Sequence, residues 1–528
     1  MNTLEANIQH TLTGPIWQKI GIRHHHGIAL PLFSLHSELS SGIGEFLDLL
    51  PVIDWCHGLS LDIIQLLPLN DSGTDPSPYN ALSSCALNPL YLSLHALPYL
   101  ETHSDLRSEL IKLAQLNKTK RISFAEVFAA KYEWLRNYFE RTKKNLLADA
   151  QFKTFIASYP WVLTYSLFKT FKHRFENTAW PTWPENYKKI KQGDLQRWID
   201  EYPGDVFFYA TLQYLCFSQL KQIKNYANKK GVFLKGDVPI LISSDSADVW
   251  SCPEYFDLSL AAGAPPDTYN PQGQYWGFPL FSWDTMKADG YKWWNQRLNF
   301  AKELYDLYRI DHVVGFFRIW GIPLGRPSKE GFFVPSDESL WLNGGKERLE
   351  MLVGATAMLP IAEDLGTVPP FVRECLASLG ICGTKVIRWE RRWDTDMSFI
   401  PYAEYPLLSM TCVSTHDSET LELWWKDSQD EAKAFAAFQG WTYAPHLTLA
   451  QRKKILWDSH HTKSLFHINL LQEYLALFPE LVWSNPEEER INIPGKVLTS
   501  NWTYRFRPSV EFFTVHPNLQ LEFKKILA

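Results

Sequence analysis

Tyr308-Arg309-Ile310-Asp311-His312 is a short apolar run that ends in a carboxylate. The chain repeats that pattern at Met358-Leu359-Pro360-Ile361-Ala362-Glu363-Asp364-Leu365-Gly366 and at Met410-Thr411-Cys412-Val413-Ser414-Thr415-His416-Asp417. Strands with an acid at their C-terminal tip, separated by helical sequence, are how a (β/α)8 barrel gathers catalytic groups onto one face. The alternation continues outward. Residues 27–35 and 61–69 read as strands around an amphipathic stretch at 46–56. Leu212, Cys216, Leu220, Ile223 and Ala227 mark a helical face that stops at Gly231, ahead of a strand starting at Val232. Trp294, Leu298, Ala301 and Tyr305 lead into the strand bearing Asp311. Pro369 and Pro370 open a helix that Gly380 closes before a strand at 384–389, and 496–506 is the expected last strand.

That β-then-α order predicts an α/β fold, a TIM barrel with helical and loop insertions in one catalytic domain spanning 1–528. Residues 70–203 are too long and too charged for a simple crossover and read as an inserted, mostly helical subdomain. Residues 241–290 read as an extended loop region that includes a lid at 263–283. Gly42-Ile43-Gly44 suggests an open dinucleotide-binding sheet instead, but Leu47 stands where the third glycine belongs, so a turn explains the pair better.

Composition narrows the partners. A formal charge of -6 and a pI near 6.3 leave no basic stripe for nucleic acid. Seven scattered cysteines without C-x-x-C spacing fit reduced thiols in a cytoplasmic protein. The first residues carry no targeting pattern, and the longest apolar stretch, 351–362, falls short of the ~18 residues of a membrane span. His24-His25-His26 would diverge in an extended loop, so no metal site is expected there. Aromatic residues reach 15%, with 22 Trp, a level that suits both a large core and a site stacking sugar rings.

The acids are the candidates for chemistry. Arg309 and Asp311 share a strand face, and a guanidinium there favours the ionised carboxylate that a nucleophile needs; a strand-to-strand salt bridge explains the pair equally well. Glu363 is the better acid of its pair, since a longer side chain in apolar surroundings reaches a leaving oxygen with a raised pKa, while Asp364 reads as a turn or helix-start group. His416 and Asp417 suit hydrogen bonds to hydroxyls. Asp237, in Gly236-Asp237-Val238-Pro239-Ile240, adds a carboxylate at another strand end, and the loop 71–80 presents Tyr79. Several acids, aromatic platforms and no metal ligand set point to glycosidic bond chemistry by a nucleophile and a general acid/base.

These strings, with Ser77-Pro78-Tyr79, Asn88-Pro89, Asp245-Ser246-Ala247-Asp248-Val249-Trp250, Gly263-Ala264-Pro265-Pro266-Asp267, Gly273-Gln274-Tyr275-Trp276-Gly277 and Asn501-Trp502, resemble glycoside hydrolase family 77, the 4-α-glucanotransferases, in order from about Gly27 to Arg507. The resemblance implies Asp311 as nucleophile, Glu363 as general acid/base and Asp417 as the acid that holds and distorts the donor sugar. It implies donor-site support from Arg309, His416 and Asp237, stacking on Tyr79, a lid carrying Tyr269 and Trp276, and no metal or cofactor. It also implies a barrel without a C-terminal β-sandwich. Phe278 after Trp276-Gly277, with Phe316-Phe317-Arg318-Ile319-Trp320, is similar to the plant cytosolic enzymes that use maltose as donor and a branched glucan as acceptor, though their starch-binding modules are missing here. The expected partners are therefore maltose, maltooligosaccharides and glycogen or another α-1,4-glucan. An α-amylase-like hydrolase and a silent glucan-binding protein on the same fold are the rival readings.

Overall fold

The computed structural model describes residues 7–190, 193–266 and 271–528. Eight short strands form the centre: β1 His25–Leu30, β2 Ile63–Leu66, β3 Phe233–Val238, β4 Leu307–Ile310, β5 Leu359–Ala362, β6 Gly383–Val386, β7 Ser409–Cys412 and β8 Phe466–Leu470. All neighbours are parallel, in the order β6-β7-β8-β1-β2-β3-β4-β5. The ends of that row meet through a parallel bridge between Ile361 and Cys382, where the Ala362 N–H donates to the Cys382 carbonyl at 2.7 Å, so the sheet closes on itself. Every residue of β4, β5 and β7 is buried, as expected of parallel strands covered on both faces.

Between β2 and β3 the chain makes the helices Ser104–Leu113, Phe124–Ala148, Ala150–Ser158, Trp161–Arg174 and Asp194–Glu201 before the crossover helix Pro203–Lys229. The 25-residue member turns Val127, Lys131, Trp134, Leu135, Tyr138, Phe139, Thr142 and Leu146 inward at helical spacing.

The structure corrects several expectations. The stretch 241–290 holds more regular structure than an extended loop: Phe256–Ala264 and Gln274–Phe281 pair antiparallel and build a four-stranded sheet with Ile319–Pro323 and Phe332–Val334. The last barrel strand is Phe466–Leu470, and 496–506 is turn and loop along the mouth of the barrel. The first strand ends at Leu30, because Pro31 opens a single 3₁₀ turn at Leu32–Ser34. Cys56, Cys85, Cys216, Cys375, Cys382 and Cys412 are buried thiols and Cys252 is half-buried, all without disulfides. Among the described residues no helix is long and apolar enough to cross a membrane.

Candidate active site

A cavity of about 1090 Å³ opens at the C-terminal ends of the barrel strands, where Asp311, Glu363 and Asp417 follow directly on or shortly after β4, β5 and β7. Arg309 organises it. Its Nη1 meets Asp311 Oδ1 at 2.7 Å and Asp237 Oδ2 at 3.0 Å, while Nη2 lies 3.5 Å from Glu363 Oε2. The Arg309–Asp311 pair is thus a salt bridge that lines a cavity. Register makes this possible, since Asp237 on β3 is the direct neighbour of Arg309 on β4.

Glu363 accepts from the His312 N–H at 2.8 Å and the Leu365 N–H at 3.3 Å. His312 occupies the left-handed region at φ 42°, an uncommon conformation for a residue with a side chain, and this directs its N–H at the carboxylate. Burial, reinforced by the Asp311 charge and opposed by Arg309 and these two amides, pushes the Glu363 carboxyl up to about 7. Asp417 goes the other way. Burial works against its ionisation, but the His416 charge, hydrogen bonds from His416 and Asn492, and Arg309 outweigh it and hold the carboxyl well below its ordinary range. Two carboxyl groups in one cavity are thereby driven apart, one toward the acid form and one toward the anion.

Tyr79 joins the two sides. Its hydroxyl donates to Asp237 Oδ2 at 2.7 Å, so its oxygen accepts from His416 Nε2 at 2.9 Å. The same nitrogen lies 3.2 Å from Asp417 Oδ2. The Tyr79 ring stacks on His416 at 5.6 Å and leans on Trp502 at 5.5 Å. Asp237 stands behind this layer with a fully buried side chain, holding Arg309 and Tyr79 while those two face the cavity. Burial raises its pKa against the pull of Arg309. Trp276, on the strand Gln274–Phe281, lines the cavity and sets its ring edge-on to His312 at 4.9 Å. Tyr269 lies outside the described residues.

Some contributors escaped the sequence reading. Asn492 Nδ2 donates to Asp417 Oδ1 at 2.7 Å, and the Ile240 N–H reaches Asp311 Oδ2 at 3.4 Å. Pro494-Gly495, two residues past Asn492, was the available signal for a loop there, and the expected strand at 496–506 obscured it. A backbone donor such as Ile240 leaves no residue-type signal. Asp364 is neither a turn nor a helix-start group: it accepts from the Thr384 N–H at 2.6 Å and from Arg373 Nε at 3.0 Å. Among the described residues no group of three or more His, Cys, Asp or Glu has metal-holding geometry.

Residues 30–511 match the family model for 4-alpha-glucanotransferase. The 4-alpha-glucanotransferase of Chlamydia caviae is 46% identical over 511 residues, which cover 96% of this chain and 96% of that protein. The 4-alpha-glucanotransferase DPE2 of rice is 35% identical over 306 residues, covering 56% of this chain and 32% of that protein. An amylomaltase from Streptococcus agalactiae, solved in complex with acarbose, superposes with a TM-score of 0.80 at 25% identity, covering 96% of this chain and 98% of that one.

Proposed function

The chain belongs to the 4-alpha-glucanotransferase family, and we propose that it moves a glucosyl or maltooligosaccharyl unit between α-1,4-glucans by double displacement with retention. In the first step Asp311 attacks the anomeric carbon of the donor while protonated Glu363 gives its proton to the departing 4-oxygen. In the second, the 4-hydroxyl of an acceptor glucan attacks that carbon, Glu363 takes back the proton, and the Asp311 carboxylate leaves. The two steps balance in atoms and charge with these side chains alone. Asp417 and His416 receive sugar hydroxyls, Tyr79 offers its ring to the sugar face, and Arg309 holds the Asp311 carboxylate in place at 2.7 Å. Residues 263–283, with Trp276 and Tyr269, act as a lid that disfavours capture of the intermediate by water.

The observation that carries this reading is one guanidinium touching both Asp311 and Glu363 while burial pushes Glu363 up to about 7. Maltose, maltooligosaccharides and glycogen are the proposed substrates, and the seven thiols suit the cytoplasm. The test is incubation with maltose, then with maltotriose, each with and without glycogen, with products resolved by chromatography. Longer oligosaccharides and free glucose support transfer. Shortening without any lengthened product favours the hydrolase reading and overturns this one.

A further inference from the structure

Beneath the acids a second polar layer crosses the barrel. Strand pairing sets Gln65 on β2 directly beside Lys235 on β3. Lys235 and Asp237 lie two residues apart and share the lumen face of β3. Gly236 between them faces the Tyr305 ring so closely that a Cβ would lie 2.6 Å from it, which fixes the strand against its outer helix connection. Lys235 is fully buried, and its Nζ meets Gln65 Oε1 at 2.8 Å and the Met410 sulfur at 3.1 Å. It forms no ion pair among the described residues. Burial, then the Arg309 charge, pushes the amine down to about 7. The steps proposed above leave this buried amine without a task.

Gln65 itself lines the floor of the cavity and is 8% exposed. Its carbonyl oxygen is taken by Lys235. Its amide nitrogen makes no hydrogen bond to the described residues, and it is not among the enclosed side-chain atoms that go without a partner. With Lys235 on the oxygen, the NH₂ is the end of the amide that carries no protein partner among the described residues. We propose that Lys235 and Gln65 form a sugar-positioning pair: Lys235 holds the carbonyl end of the amide, and Gln65 Nε2 donates to a hydroxyl of the glucosyl residue seated deepest in the cavity. Gln65 is then a substrate contact and Lys235 a positioning residue that acts through it. The inference rests on the reading of this cavity as the donor-glucan site.

The test uses the full chain in an Asp311→Asn background, in which maltotriose binds without turnover, and reads its affinity by calorimetry. Gln65→Leu is expected to weaken binding about threefold to tenfold, the range for one net hydrogen bond. Lys235→Met should weaken it similarly, and the double variant no further, because both changes remove the same contact. Among maltotriose analogues that each lack one hydroxyl of the sugar bound at the floor, one should bind equally well with Gln65 intact and with the Gln65→Leu change. Gln65→Met, nearly isosteric, serves if Gln65→Leu fails to fold. Unchanged affinity in a folded Gln65 variant overturns the proposal, as does full additivity of the two losses. No maltotriose binding with Gln65 intact overturns the donor-site reading itself, and the inference with it.

Discussion

Glu363 and Asp417 show how one cavity shifts the same functional group in opposite directions. Burial pushes Glu363 up to about 7, whereas His416, Asn492 and Arg309 overcome the burial of Asp417 and hold it ionised. If Glu363 must start protonated, kcat/KM for maltotriose should fall as pH rises through about 7, and a pH profile of initial rates checks this. Glu363→Gln should cost about 10²- to 10⁴-fold in turnover and should flatten that limb. With a donor whose leaving group needs no proton, such as a glucosyl fluoride, the first step should recover and show as a burst of fluoride with build-up of the glycosyl-enzyme, because the second step still lacks its base; absence of any burst would argue for a different acid. The linkage sign follows. A carboxyl raised above its unfolded value adds stability that is full below about 4.5 and lost as pH climbs through about 7, so Glu363→Gln should also level the stability curve across that window. Asp311→Asn removes the nucleophilic charge with little change in volume, so it should fold normally yet accumulate no covalent intermediate by mass spectrometry. Normal turnover in that variant would remove Asp311 from the mechanism.

The elements differ in how openly the sequence declares them. β4, β5 and β7 were legible because each short buried strand is followed within a few residues by a carboxylate, a pattern that the polar residues inside β4 and β7 did not hide. β8 was not legible. In Phe466-His467-Ile468-Asn469-Leu470 polar residues alternate with apolar ones, and all five are buried because the polar ones find partners inside: His467 Nδ1 meets the Ser459 carbonyl at 2.8 Å and Asn469 Oδ1 accepts from the Val413 N–H at 2.8 Å. Within the stretch 496–506 expected as the last strand, Val497 and Leu498 are 105% and 42% exposed at the mouth of the barrel. The seam between β5 and β6 depends on side chains more than on ladder bonds. Asp364 accepts the Thr384 N–H at 2.6 Å, and Thr384 Oγ1 donates to the Ala362 carbonyl at 2.8 Å. Asp364→Ala leaves a buried amide without its acceptor and should cost about 1–3 kcal/mol in urea unfolding; a loss below the scatter of that measurement would show that the seam does not need it. On the mouth, Trp276→Ala should lower transfer to a sugar acceptor more than it lowers release of reducing ends, as an opened lid admits water. An unchanged ratio at matched donor and acceptor concentrations would leave the strand Gln274–Phe281 a purely structural part.

At the scale of the molecule, the question is what binds the helical insertion to the barrel, and the answer includes an ion pair with both side chains fully buried, Lys131 with Glu45. Lys131 belongs to the long helix Phe124–Ala148, and Glu45 to the loop that follows β1. Lys131 Nζ donates to Glu45 Oε1 at 2.6 Å, to the Leu90 carbonyl at 2.7 Å and to the Leu92 carbonyl at 3.0 Å, so all three of its protons are placed. Glu45 is less well served. Its Oε2 has no partner, and burial pushes its carboxyl up to about 7 against the pull of Lys131. A buried pair of this kind adds little beyond an apolar pair of the same shape, but losing one partner is expensive. Lys131→Met should therefore cost about 3–5 kcal/mol above the pH at which Glu45 ionises, because an uncompensated carboxylate is left in the interior. Below about 7 the cost should shrink, since protonated Glu45 no longer needs the cation. Adding Glu45→Gln should recover most of the loss at both pH values. Urea unfolding followed by both tryptophan fluorescence and far-ultraviolet circular dichroism measures this, and coincident curves would show insertion and barrel unfolding together. A pH-independent cost, or no recovery with Glu45→Gln, would mean that Lys131 matters through its two carbonyl contacts and not through the ion pair.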